Sequence, residues 1–275
     1  MIDFIINAIK IIFLLGFLIL IHEGGHFLVA KLCKVKVKEF AIGFGKVIWQ
    51  KQGKETKYSL RLIPLGGFCS MEGEDEESDA EDSFSKASVW KRMAIVLAGA
   101  IVNILFGILV YFILISTVGI QFQNPAKDTI LNRLYYGAIY TGEFIGAIFE
   151  SVKMLFSGGF STNQMVGIVG ISEVVVNTTG LLNYLQLLSV VSISLGITNL
   201  LPIPALDGGK IIILLIEIIR RRPMKVETEA KIQLIGFSIL IAISLFVTYN
   251  DILRIGGRSI NNRKIARNLA ILFIL

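Results

Sequence analysis

Residues 4–30 read FIINAIKIIFLLGFLILIHEGGHFLVA. A helix needs about 20 apolar residues to cross the hydrocarbon core of a bilayer, and this run is long enough. Backbone groups cannot stay unpaired in hydrocarbon, so the run is read as helix. Its polar interruptions are Lys10 and the stretch His22-Glu23-Gly24-Gly25-His26, which holds both histidines of the chain. Ionisable groups within an apolar span cost about 2.5–3.5 kcal/mol each on insertion scales and usually face an internal or watery site. Residues four apart share a helix face, so His22 and His26 can reach one Zn²⁺. Glu23 sits beside them, where a carboxylate can take a proton from water made acidic by the metal.

Working outward, 54% of the 275 residues are hydrophobic and 17% charged, and the mean hydropathy is +0.71. Soluble domains carry about 25% charged residues, so the composition points to a membrane protein. Two cysteines, Cys33 and Cys69, are too few for a disulfide framework and are expected to be free thiols. Only Met1, Ile2 and Asp3 precede the first run, without a positive flank, so it reads as a retained signal anchor.

Three further apolar runs cover residues 93–118, 185–206 and 232–249. Lys and Arg number 12 in residues 31–92 and 6 in 210–231, against 3 in 119–184 and 5 after 249. The bias places the first and third loops inside and both termini outside.

The expected fold is a membrane all-α protein with four transmembrane helices and a small membrane-associated β-region after the first. Residues 1–30 form the first helix with the HExxH motif, and 31–92 the cytoplasmic β-region and acidic loop. The second helix takes 93–118, and 119–184 an outer-side linker with an interfacial helix near 135–156. The third helix, with its LDG, takes 185–209; 210–231 is a cytoplasmic interfacial segment. The fourth helix takes 232–249 and the tail 250–275, whose apolar end, 270–275, is too short to cross. Alternating patterns at 34–40, 47–50 and 57–63 suit antiparallel strands, with Gly43, Gly45, Gly53, Gly66 and Gly67 as turns or bulges. Residues 72–82 hold eight acidic side chains in eleven, which reads as a solvated, mobile loop.

A catalytic zinc usually takes three protein ligands, and with no third histidine the last must be a carboxylate or a thiolate. The best candidate is Asp207, in NLLPIPALDGG at 199–209, read as the end of the third helix. On the proposed topology it reaches the same depth as His22 and His26, near the inner face. Pro202 and Pro204 break the helix ahead of it, freeing backbone groups that must line protein or water. Asn199 can donate hydrogen bonds to a substrate backbone or a developing oxyanion. Gly99, Asn103 and Gly107, spaced by four, suit close helix packing with Asn103 turned to the interior.

In combination, HEGGH at 22–26, AIGFG at 41–45, RLIPLGGF at 61–68, AGAIVNILFG at 98–107 and NLLPIPALDGG at 199–209 resemble the site-2 protease family of intramembrane zinc metalloproteases. The likeness is to the bacterial regulator-of-sigma-E protease branch, which cleaves anti-sigma factors and remnant signal peptides. The resemblance implies one Zn²⁺ held by His22, His26 and Asp207, with Glu23 as catalytic acid/base. It also implies substrate contacts from Asn199, Pro202, Pro204, Asn103, Gly66 and Gly67, and a β-region whose edge pairs with an unwound substrate. Implied partners are single-span membrane protein substrates and the lipid bilayer, with no nucleic acid. The implied location is the inner (plasma) membrane, multi-pass, with the active site near the cytoplasmic face. Two departures stand out: no PDZ domain fits between the second and third spans, and Ala100 occupies a position where the family commonly has proline. The competing readings are a non-proteolytic membrane scaffold retaining a zinc site and a metal transporter. The intact Glu23 and Asp207 weigh against the first, and the lack of a continuous polar path against the second.

Overall fold

A computed structural model describes residues 2–256 apart from 75, 77, 123 and 158–166; the apolar stretch 270–275 lies outside the described residues. In chain order the elements are α1 (Ile2–Leu32), β1 (Val37–Gln52), β2 (Lys57–Met71), α2 (Val89–Leu114), α3 (Ile130–Phe156), α4 (Ile168–Asn177), α5 (Leu181–Asn199), α6 (Asp207–Arg220) and α7 (Val226–Gly256). Four helical stretches are long and apolar enough to cross a membrane: Ile2–Leu32, Val89–Gly119, Leu181–Asn199 and Val226–Ile252. The second includes a π-helical turn at Ile115–Gly119. The chain is therefore a multi-pass membrane protein, mostly helical, with a small sheet after its first helix.

One expectation changes in a way that matters for chemistry. The sequence predicts a third helix reaching residue 209, with Gly208 and Gly209 releasing it. Instead α5 stops at Asn199, and Asp207 opens a new helix that contains both glycines. The reason lies in Pro202 and Pro204, which lack N–H donors and restrict the residues before them. Ala205 takes a left-handed conformation at φ 75°, which redirects the chain before α6 begins. Gly208 and Gly209 then serve packing: a Cβ at 208 would meet the carbonyls of Leu200 and Leu201, and one at 209 that of Ile203.

The chain divides into two compact units. The first comprises residues up to Asn103 together with Gly196–Ala242. In it, β1 and β2 pair antiparallel, from Val37↔Met71 through Ala41↔Phe68 at one end and from Trp49↔Leu60 to Gln52↔Lys57 at the other. Residues 39–42 also pair with 57–60, so they have a neighbour on both sides. Gly43 and Gly45, both at positive φ, supply the bend that this arrangement needs. Glu39 ties the strands together, accepting from Ser59 Oγ at 2.6 Å and Arg61 Nη2 at 2.8 Å and pairing with Lys57. Burial raises its carboxyl pKa, but these three partners outweigh it and hold the group below the ordinary range.

The sheet closes over a core of Ala30, Val35, Val37, Cys69, Met71, Phe84, Ile95, Val96 and Leu214. Both cysteines are free, and burial pushes the Cys69 thiol up to about 12, leaving it unreactive. In the acidic stretch, three of the described carboxylates meet lysines from elsewhere in the chain. Glu72 pairs with Lys36, Glu76 with Lys38 and Glu74 with Lys210 of α6. Composition registers the repulsion among neighbouring carboxylates but not the lysines that strands and helices bring from elsewhere.

The second unit comprises Ile104–Leu195 and residues from Ile243 on. Here Gly107 lets α2 approach α5, since a Cβ would lie 2.6 Å from the Ser189 carbonyl. Tyr111 stacks on Phe144 of α3 at 4.0 Å. Asp251 of α7 accepts from the backbone N–H groups of Gly167 and Gly170, each at 2.9 Å. It thereby satisfies the free donors at the start of α4.

Candidate metal centre

The helical repeat of α1 puts His22, Gly25 and His26 on its buried side. Gly25 permits close approach of α2: a Cβ there would lie 2.6 Å from the Ala98 carbonyl. Gly24 has no such duty, with nothing within 4 Å of a Cβ. Across this contact His26 Nδ1–H donates to the Ile95 carbonyl at 2.8 Å, which fixes the ring and turns Nε2 inward. On the same helix, Asn103 is fully buried, its amide 3.4 Å from His22 Nδ1. Gly99 lies under both rings, so that a Cβ would strike His26 Nε2 and come 2.9 Å from His22 Cε1.

Asp207 arrives from the start of α6, far along the chain from α1. Its Oδ2 lies 3.2 Å from His22 Nε2 and 3.5 Å from His26 Nε2, and the two nitrogens are 3.2 Å apart. Ligands on a tetrahedral zinc, with bonds of about 2.0–2.1 Å, are separated by about 3.3 Å. The triangle matches one face of that tetrahedron. Oδ2 is buried without a hydrogen bond, and three electron-rich atoms converging out of water need a cation between them. The donor set therefore fits the metal.

The unwound segment ahead of Asp207 is held by α7. Gln233 accepts the Ala205 N–H through its Oε1, and Gly236 admits Pro204, which a Cβ at 236 would displace. Lys210, one turn into α6, pairs with Glu74 at 2.6 Å. Sequence reasoning did not single out Gln233, Glu74, Lys210 or the Ile95 carbonyl. The one available signal was Gln233, a polar side chain at the head of an apolar run.

Of the expected substrate residues, Asn199 closes α5 and Pro202 and Pro204 occupy the turn after it. Gly67 lies beside the metal motif: a Cβ there would sit 3.4 Å from Glu23 Cγ and 3.3 Å from Ile19. Gly66, at φ 146°, is covered by the Phe44 ring.

A helix-borne HExxH with a carboxylate third ligand, on a membrane-length helix, is the constellation of a membrane metallopeptidase. Comparison with known proteins gives the family: residues 10–243 match the model of peptidase family M50. The chain is 29% identical over 329 residues to a predicted zinc metalloprotease of Clostridium acetobutylicum, covering 90% of this chain and 97% of that protein. It is 26% identical over 418 residues to the zinc metalloprotease RasP of Bacillus licheniformis, covering 90% and 99%. With the regulator of sigma-W protease RasP of Bacillus subtilis it shares 25% over 422 residues, covering 92% and 99%. The chain belongs to peptidase family M50, the site-2 type of membrane metallopeptidase. Its three-residue cluster suits one zinc ion. All three alignments are longer than the chain's 275 residues, so these relatives carry residues without a counterpart here.

Proposed function

We propose that the protein hydrolyses peptide bonds within transmembrane segments of single-span membrane proteins, such as anti-sigma factors or remnant signal peptides. The observation that carries this reading is the triangle of His22, His26 and Asp207 with Glu23 on the same helix. His22, His26 and Asp207 would hold one zinc ion, which when bound would polarise a carbonyl group and make water acidic enough to act as a nucleophile near neutral pH. Glu23 accepts the proton of the attacking water and delivers it to the amine nitrogen that leaves. The position of Glu23 against Gly67 supports a substrate strand laid along β2, with backbone hydrogen bonds holding it extended. Asn199 and the backbone groups freed in the turn that holds Pro202 and Pro204 offer further hydrogen-bonding partners for such a strand.

We assign Asn103 a positioning role rather than a substrate contact, because it is fully buried beside His22. A His22 that ligates through Nε2 carries its proton on Nδ1, and the Asn103 amide, turned to present its oxygen, accepts it. Removing such a partner typically weakens metal binding by about 10–100-fold. Asn103→Leu is therefore expected to lose zinc to a competing chelator in that range, whereas Asn103→Asp keeps it. Equal zinc affinity in Asn103→Leu and the parent would end this assignment.

The active site is placed near the cytoplasmic face of the inner membrane on the Lys/Arg distribution. Such a short connection from Gly119 to α3 supports a form without a PDZ domain at that point. The deciding experiment measures zinc per chain and cleavage of a single-span substrate, with and without chelator, alongside Asp207→Asn. One zinc per chain, cutting lost on chelation, and weakened metal retention in Asp207→Asn are expected. Unchanged metal content and rate in that variant would remove Asp207 from the site. Zinc without any cutting would point to a missing substrate determinant, and neither zinc nor cutting would favour the scaffold reading.

A further inference from the structure

Away from the metal, the other end of the helix that Asp207 opens carries a cluster of cations. Residues 220–225 read RRRPMK, four cations in six positions, directly ahead of the membrane-length run that begins at Val226. Arg220, Arg221, Arg222 and Lys225 are all exposed, and none of their side chains forms an ion pair or hydrogen bond with the described residues.

This turn is built rather than loose. Arg221 adopts the left-handed conformation at φ 56°, and Pro223 stiffens the chain after it. Glu217, 5% exposed, accepts the Met224 N–H at 2.8 Å through one oxygen and Arg92 Nη2 at 2.7 Å through the other. A buried carboxylate thus fixes both the turn and the start of α2 while leaving the four cations outside.

The helix leading into the turn has two apolar faces. Ile213 and Leu214 are buried with Glu217, while Ile212, Leu215, Ile216 and Ile219 remain exposed, Ile219 at 81%. At 14 residues, α6 is about 21 Å long, too short to span a bilayer. An exposed apolar face ending in clustered cations suits a helix lying at the lipid interface. Trp90, 70% exposed and two residues before Arg92, adds the aromatic side chain favoured at that depth.

We propose that Arg220, Arg221, Arg222 and Lys225 form a docking surface for the headgroups of anionic phospholipids. Charge complementarity decides the occupant. Guanidinium groups bind phosphate oxygens in pairs, and the apolar face of α6 meets the acyl chains of the same molecules. The proposal is independent of the reaction assigned to the metal centre.

The test uses full-length protein in nanodiscs with Trp49→Phe, leaving Trp90 as the reporter. Quenching by brominated phosphatidylglycerol is compared with quenching by brominated phosphatidylcholine. We expect a preference for the anionic lipid that falls with salt and is unaffected by millimolar inorganic phosphate. In R220S/R221G/R222S/K225S the preference is expected to drop about tenfold or more, while the all-lysine variant keeps most of it and controls for folding. Equal quenching by both lipids in the parent would overturn the proposal, as would a preference that survives in the uncharged variant. Displacement by inorganic phosphate would also overturn it, making the turn a free-anion site.

Discussion

Glu23→Gln is expected to keep its zinc and lose cleavage by roughly a thousandfold, within the range that general acid–base groups supply. The substitution is nearly isosteric and leaves His22, His26 and Asp207 in place. An amide, however, cannot accept the proton of the attacking water or return one to the leaving nitrogen. Metal content by elemental analysis and single-turnover cleavage separate the two functions. Parallel loss of both would make Glu23 a structural support of the metal, and full activity would remove it from the chemistry.

Gly99→Ala is expected to be nearly as damaging, although the glycine has no side chain to contribute. Its added methyl would occupy the space of the two imidazoles, 2.7 Å from His26 Cε1 and 2.9 Å from His22 Cε1. The rings must turn away or the helices must part. A misplacement of about 1 Å costs on the order of a hundredfold in catalysis, and metal affinity should fall at least as far. Gly24→Ala is the control, since its methyl meets nothing within 4 Å and replaces a residue unfavourable within helices. Equal zinc affinity in Gly99→Ala and the parent would show that α1 and α2 do not close on the metal.

Much of the candidate site was legible because its chemistry is local. The spacing of His22 and His26 is a property of one helix, and the shortage of histidines directed attention to a carboxylate. Asp207 was then favoured because it follows a long apolar run. That inference placed it on the wrong element, as the end of one helix rather than the start of the next. Hydropathy does not register where a helix stops within an apolar stretch; Pro202 and Pro204 signal the break, but not that Asp207 starts a new helix after it. Similarly, the spacing of Gly99 indicates close packing but not that the packed objects are the rings of His22 and His26.

The sequence by itself determined the membrane setting, the number of long apolar helices and the pairing of two ligands with an acid beside them. These depend on composition and on the helical period, which act over a few turns. Only the tertiary structure decided that Asp207 closes the triangle, that Ile95 orients His26, and that α7 holds the unwound turn through Gln233. It also decided that Glu72, Glu76 and Glu74 pair with Lys36, Lys38 and Lys210. Each of these joins groups distant in the chain, and their partners are chosen by how helices and strands stack rather than by any pattern along one of them.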